Sequence, residues 1–244
     1  MRWWLLGAAA YLMFMAGMLP ASYLLPRLLR SHPELQLGGV SGSIWSGDAA
    51  QLSFQGMSLG AVHWRFDWLA LFRFSYGMHL DLSGDASLSG RLDSRGKRLF
   101  LRSVSGRIPV SMLDSWLPLP PHSLSGSLRL DLKSVTLVDG KITGAEGELD
   151  LEEASLNWPS SMALGSFAMT LSPAADGGVT AHIADLQSPL KLQADLSLGS
   201  DGAYHLTGLL SPKDATDTAT RDLLNNLGPA DSTGQHHFDF KGQW

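Results

Sequence analysis

Leucine alternates with polar residues through most of this 244-residue chain, and this pattern constrains the fold more than any other feature. The alternation is clearest at residues 79–82, 128–132, 149–151, 190–192 and 196–198. Successive side chains of a strand point to opposite faces, so this period is typical of half-buried strands in an antiparallel sheet. Glycine and serine recur between these segments as turn signals. The pattern predicts a mainly β chain with an antiparallel, curved or sandwich-like domain.

Two or three short helices are predicted to interrupt the strands. The first candidate covers residues 67–72, and the second covers residues 110–117. The third covers residues 212–227, where Ser211 suits an N-cap and Pro212 suits the first helical position. Gly228 followed by proline would end this third helix.

The N-terminal segment has no charged residue from position 3 to position 26. This length is enough to cross a hydrocarbon layer as a helix, and aromatic rings favour the membrane interface. The segment therefore predicts one transmembrane helix within residues 1–26, after a short cytoplasmic start. The anchor residues are Trp3, Trp4, Leu5, Leu12, Phe14 and Leu19. A cleaved signal peptide is the alternative, but the small-residue cleavage pattern is poorly matched.

The remainder, residues 27–244, is predicted to be one aqueous β-rich domain with a weak seam at the proline-rich residues 118–121. A net charge of -5 without a basic cluster excludes a typical nucleic-acid binder. The absence of cysteine excludes a disulfide scaffold, a thiolate metal site and a cysteine nucleophile. A hydrophobic fraction of 44% is too high for a disordered chain.

One pattern suggests a catalytic serine, but its context argues against it. Residues 56–60 match the G-x-S-x-G pattern around Ser58. A nucleophile elbow needs a strand before the serine and a helix after it, whereas residues 61–66 are typical of a strand. We therefore predict that the chain has no catalytic residues and is not an enzyme.

Two further patterns suggest metal ligands. His236 and His237 are adjacent, so on a strand they would point to opposite faces and would not share a metal in the usual way. Four acidic residues alternate along one predicted strand face, at Glu146, Glu148, Asp150 and Glu152. This row favours a solvated face, with a hard-cation site as the alternative. The sequence predicts no metal site and no cofactor.

The most distinctive segment is GVSGSIWSG at residues 39–47, which follows the predicted anchor and a short spacer. A second element at residues 58–64 comes next, and a glycine-containing tail ends in a final strand. This ordered set resembles the protein N family of the bacterial type II secretion system, also called the general secretion pathway. The family-like motif residues are Gly39, Gly42, Trp45, Gly47, Trp64, Gly228 and Gly234.

The resemblance implies a single-pass protein of the bacterial inner membrane with most of its chain in the periplasm. It implies a non-catalytic accessory component of the machinery that exports folded proteins. The expected partners are the inner-membrane platform proteins and the clamp protein that reaches the secretin, with the secretin itself as a further partner. The family offers no catalytic residues to assign.

The alternative function is a periplasmic lipid-binding or lipid-transfer protein with an apolar β groove. The segment GSIWSG also looks like segments near the start of periplasmic bridge-like lipid carriers, whose curved sheets are rich in glycine and lined by leucine. A packed core would favour the secretion component, whereas an extended exposed apolar surface would favour lipid binding. Trp45 is interpreted as a core residue, with an interface role as the alternative.

Overall fold

A computed structural model describes residues 4, 7, 19–29, 35–54, 56–67, 76–113, 124–157, 161–175, 177–214, 217, 220, 224 and 229–243. These residues form thirteen strands whose order in the sheet follows their order in the sequence. Neighbouring strands are antiparallel, as the register of β2 with β3 and of β7 with β8 illustrates. The structure confirms the prediction of a mainly β, antiparallel chain.

The chain divides into two compact units, Met1–Arg91 and Leu92–Trp244. The first unit contains helix α1 and strands β1 to β4, and strand β5 begins within it. Their bounds are α1 Ala21–Leu28, β1 Leu35–Gly42, β2 Ser46–Phe54, β3 Met57–Asp67, β4 Tyr76–Ser83 and β5 Ser87–Arg95.

The second unit contains strands β6 to β13 and one turn of 3-10 helix. Their bounds are β6 Arg98–Pro109, the 3-10 turn Val110–Leu113, β7 Leu124–Val138, β8 Lys141–Leu156, β9 Met162–Pro173, β10 Gly178–Gln187, β11 Leu190–Gly199, β12 Ala203–Pro212 and β13 His236–Gln243.

The core of the first unit lies between α1 and the first four strands. Ala21 of α1, Ala49 of β2 and Trp64 of β3 are buried together. Partly buried hydrophobic residues surround them, namely Leu25, Leu37, Val40, Val62, Met78 and Leu80. Leu25 lies one turn after Ala21, so the helix presents both side chains to the sheet.

The second unit shows how the leucine alternation is used. Register across β7 to β13 aligns one apolar row, Leu130, Leu149, Met169, Ile183, Ala194, Gly208 and Phe238. The adjacent row, one residue along each strand, is polar and consists of Asp131, Glu148, Thr170, His182, Asp195, Thr207 and Asp239. This part of the sheet therefore has one apolar face and one polar face, as alternation predicts.

The structure agrees with the predicted helices to different extents. Among the residues that the structure describes, no helix is long and apolar enough to cross a membrane. Most of residues 3–18 lie outside the described part of the chain, as do the proposed seam at residues 118–121 and residues 68–72.

Asp67, expected to open the first short helix, is instead the last residue of β3. At the start of the second predicted helix, Val110–Leu113 form a 3-10 turn, and residues 114–117 lie outside the described part of the chain.

The predicted start of the third helix is wrong. Pro212 ends strand β12 instead of opening a helix, and it pairs with Leu190 of β11. Pairing along the whole of β12 outweighs the local capping signal at Ser211, because tertiary context overrides intrinsic propensity. Further along, Thr220 and Leu224 are helical and fully buried.

Candidate functional site

The family-like segment at residues 39–47 forms the β1–β2 hairpin, which we call the motif hairpin. Gly42 pairs with Gly47 across the turn, and its φ of +81° lies in the left-handed region that favours glycine. Ser43 organises the turn, because its hydroxyl oxygen accepts hydrogen bonds from the backbone N–H groups of Trp45 at 3.3 Å and Ser46 at 3.2 Å. The backbone N–H of Ser43 in turn donates to the Ser46 carbonyl at 2.9 Å.

Trp64 of β3 joins the motif hairpin to the core. Its side chain is only 6% exposed, and its indole N–H donates to the Ser43 carbonyl at 3.1 Å. Gly47 is the residue paired with Trp64 in the neighbouring strand. The close approach of the ring to this position requires glycine there, because a side chain would overlap the indole.

Trp45 lies at the margin of the same core and is half-buried. Its ring meets Phe66 edge-on, with 5.0 Å between ring centroids and 67° between planes. The backbone N–H of Phe66 donates to the Trp45 carbonyl at 2.6 Å. Trp64 is therefore the buried aromatic residue of this core, and Trp45, in the β1–β2 turn, contacts β3 through Phe66.

The motif hairpin also holds the chain segment that precedes the sheet. The backbone N–H of Ile44 donates to the Leu19 carbonyl at 3.1 Å, and Pro20 forms an antiparallel bridge with Ser43. Ala21 is fully buried next to Ala49 and Trp64. Residues 19–21, which we call the junction, are thus fixed to the sheet at the point where α1 begins.

Most of the remaining predicted residues lie outside the described part of the chain, namely Trp3, Leu5, Leu12, Phe14 and Gly228. Trp4 is described, is helical and is 87% exposed. Gly234 lies in the second unit, in a tight turn with a φ of +78°, and its N–H donates to the Asp231 carbonyl at 3.1 Å. The structure thus places four of the motif residues in the hairpin, packs Trp64 of β3 against it and places Gly234 in a separate turn.

Asp231 organises the turn around Gly234. Its carboxylate accepts hydrogen bonds from the Thr233 hydroxyl at 2.7 Å and from the Gln235 N–H at 3.0 Å, and it lies 2.9 Å from Nε2 of His237. The Thr233 hydroxyl, followed by the Gln235 N–H and His237, holds the pKa of Asp231 well below its usual range. This carboxylate therefore stays ionised and stabilises the approach to β13.

The serine and histidine patterns that suggested catalysis or metal binding lie on strands β3 and β13. Ser58 is exposed near the start of β3, and the strand continues to Asp67, so the residue does not sit on a strand-turn-helix elbow. His236 is 6% exposed whereas His237 is exposed, which confirms that the two rings occupy opposite faces of β13.

Three of the four acidic residues in the row on β8 form ion pairs with basic residues of neighbouring strands. Asp150 pairs with Arg129 of β7, Glu152 lies 2.5 Å from Arg107 of β6, and Glu146 lies 3.2 Å from Lys133. The hydrogen bond to Asp150 raises the pKa of Arg129. Within the part of the chain that the structure describes, no group of three or more histidine or acidic side chains is placed to hold a metal ion.

Sequence reasoning missed these cross-strand pairs and the role of Ser43. The ion pairs depend on register, which alternation alone does not specify. For Ser43, a signal was present, since a serine directly after a glycine in a turn is a common acceptor for nearby backbone N–H groups.

Comparison with known proteins shows where this architecture belongs. A family model described as "Type II secretion system (T2SS), protein N" matches residues 33–238, which include the motif hairpin, Trp64 and Gly234. The chain belongs to this family. The resemblance seen in the sequence is therefore confirmed, and the family is one of secretion-system components. Membership implies contact with other components of that machinery.

Three relatives within the T2SS protein N family extend the match. The type II secretion system protein N of Vibrio cholerae is 29% identical over 222 residues, covering 86% of this chain and 86% of the relative. The protein of the same name from Klebsiella pneumoniae is 27% identical and covers 98% of this chain and 94% of the relative. That of Aeromonas hydrophila is 25% identical, covering 96% and 94%. No solved structure matches the chain.

Proposed function

We propose that this chain is a non-catalytic accessory component of the type II protein secretion machinery, anchored in the inner membrane by a transmembrane helix within residues 1–26. Residues 27–244 would then lie in the periplasm and contact the platform and clamp proteins, and also the secretin. The observation that carries this proposal is the family match over residues 33–238 together with the junction, where the end of the uncharged stretch is bound to the motif hairpin.

The junction gives the proposal a physical basis. The hydrogen bond between Ile44 and Leu19, the bridge between Pro20 and Ser43, and the complete burial of Ala21 fix the backbone where α1 begins. A membrane segment that ends at this point would hold the motif hairpin close to the membrane surface. Partner contacts would then be made by sheet edges and surfaces, which recognise proteins through backbone pairing and alternate side chains.

Mass spectrometry of the full-length protein, purified from membranes in mild detergent, tests this proposal. Platform proteins are expected to co-purify with the chain, without lipid at a fixed ratio. A second strain should carry residues 19–244 behind a cleavable signal peptide, which removes residues 1–18 of the proposed anchor and keeps the junction. We expect this protein to be found in the periplasm and to lose the platform proteins. Absence of platform proteins from the full-length sample would contradict the proposal.

The second candidate function is lipid binding on the apolar face of the second unit. On that face Ala181, Ala194 and Leu190 are buried, whereas the large side chains of Leu130, Leu149 and Leu206 are only half-buried. Large partly exposed apolar side chains on one sheet face suit contact with acyl chains. One lipid species held near a one-to-one ratio, with no platform proteins, would favour this function over the first.

A further inference from the structure

The last strand presents a regular edge. Among the described strands, β13 pairs with β12 alone and ends the strand order. None of its eight residues, all described, has a positive φ. The strand at the other end of the order, β1, contains Gly39 and Gly42 with φ values of +63° and +81°, which interrupt its regular backbone. An uninterrupted edge offers a row of backbone donors and acceptors to another strand.

The side chains of β13 divide into two kinds. Phe238 and Phe240 lie on one face with ring centroids 5.8 Å apart, and Phe240 is 53% exposed. Asp239 and Lys241 lie on the opposite face, with a carboxylate oxygen 3.5 Å from the ammonium nitrogen and both side chains more than half exposed. The other carboxylate oxygen of Asp239 lies 3.0 Å from Nε2 of His205 on β12. The edge therefore carries an exposed aromatic residue flanked by one acidic and one basic residue.

We propose that β13 pairs in antiparallel fashion with β13 of a second copy of this chain, about a two-fold axis at Phe240. In this register Phe240 lies opposite Phe240 of the second copy, and Phe238 lies opposite Gly242. Each Asp239 lies opposite Lys241 of the other copy, so the interface contains two symmetric opposite-charge pairs. Two-fold interfaces are self-complementary in this way, and directly opposite residues are the closest cross-strand neighbours.

The charges of Asp239 and Lys241 and the side-chain face of each residue favour this register over the adjacent registers. Moving the axis to residue 239 places Asp239 opposite Asp239, and moving it to residue 241 places Lys241 opposite Lys241. Like charges directly opposite destabilise a strand pair. Moving the axis by half a residue places the aromatic face of one copy against the charged face of the other. The charges on β13, which discourage pairing with unrelated strands, thus favour pairing with a second copy.

Cysteine cross-linking of the full-length protein in mild detergent tests the contact directly. The chain has no cysteine, so Phe240→Cys introduces its only thiol. The two-fold axis places the two thiols opposite each other, and mild oxidation is expected to give a disulfide-linked dimer. Leu186→Cys, at a 56% exposed position on β10, is the matched control and should remain monomeric on denaturing gels. Equal cross-linking of the two variants would overturn the proposal.

Charge exchange tests the register. Asp239→Lys or Lys241→Asp alone opposes like charges in both symmetric pairs and is expected to raise the dimer dissociation constant at least about tenfold. The double variant restores opposite charges and should restore dimerisation, which separates the interface effect from misfolding. The measurement is sedimentation equilibrium, with circular dichroism to compare the folded state. A wild-type protein that is monomeric at every concentration, or single variants that dimerise as well as the wild type, would overturn the proposal.

Discussion

The indole of Trp64 occupies the space where a side chain on Gly47 would stand. A Cβ atom at Gly47 would lie 2.6 Å from Cζ2 of Trp64 and would also overlap the carbonyl oxygen of Ser41. The first of these contacts involves the buried core and the second involves backbone, so neither neighbour can move at low cost. The motif hairpin therefore requires glycine at this position for close packing.

Gly47→Ala is expected to lower the free energy of unfolding by about 1–3 kcal/mol, because overpacking forces the indole or the hairpin backbone to shift. Urea unfolding of the purified protein, followed by tryptophan fluorescence, measures the change. Gly38→Ala in β1 is the matched control, because its Cβ would find its nearest atom, Cβ of Gln51, at 3.6 Å. An equal loss in both variants would show that close packing against Trp64 is not the cause.

Trp45→Ala is expected to lower stability by about 2 kcal/mol, since the substitution removes a half-buried ring and its contact with Phe66. Thermal unfolding and folded abundance in membranes measure the effect. Trp45→Phe keeps an aromatic edge beside Phe66 and should lose less. A Trp45→Ala protein of normal stability that no longer co-purifies with platform proteins would instead assign this ring to an interface.

The carboxylate of Asp185 on β10 predicts a pH dependence. It lies 2.5 Å from Nζ of Lys213 and accepts a hydrogen bond from the Leu192 N–H at 2.8 Å. Burial acts to raise the pKa of Asp185, but these hydrogen bonds outweigh it and lower the pKa below its ordinary value of 3.8. A lowered pKa means that the ionised carboxylate stabilises the fold above pH 3.8, and that this stabilisation is lost as pH falls through the folded-state pKa.

Asp185→Asn keeps the acceptor for Leu192 but removes the charge that faces Lys213. We expect it to cost about 1 kcal/mol at pH 7, because a charge-assisted hydrogen bond is replaced by a weaker one. The free energy of unfolding of both proteins should be measured from pH 7 downward. The difference should narrow below pH 3.8, where the carboxylate of the unfolded wild type becomes protonated. A difference that stays constant with pH would refute the electrostatic explanation.

Substitutions at Gly234 distinguish the cost of backbone strain from the cost of close packing. Its φ is +78°, yet a Cβ there would meet no atom within 4 Å. Gly234→Ala should therefore cost about 1–2 kcal/mol from the left-handed backbone alone. Gly234→Asn should cost less, because asparagine tolerates this conformation. Thermal unfolding of the two variants provides the comparison, and an equal cost would show that the conformation is not what selects glycine.

Local signals predicted much of this protein. Alternation identified the strands, since it follows from the two-residue period of any strand and needs no partner. The family resemblance selected Gly39, Gly42 and Gly47, and the structure places two of the three at positive φ. The adjacent histidines were assigned correctly to opposite faces for the same periodic reason.

Strand register decided which residues pair across the sheet. Local sequence patterns did not predict these pairs, because register depends on residues far apart in the chain. The same alternation would fit many pairings, yet the observed one places Arg129 opposite Asp150 and forms the ion pair between them. Pairing with β11 kept Pro212 in a strand despite a good local helix signal. Burial of Trp64 in preference to Trp45 followed from the packing of α1 against β2 and β3.

The sequence by itself determined the class of fold, the glycine positions that the turns require and the family, because each depends on local pattern or on residue order along the chain. Tertiary structure decided which charges pair, which tryptophan is enclosed and how residues 19–21 are held at the motif hairpin. These features depend on strand register and on long-range packing, whose energies arise between residues that the sequence leaves far apart.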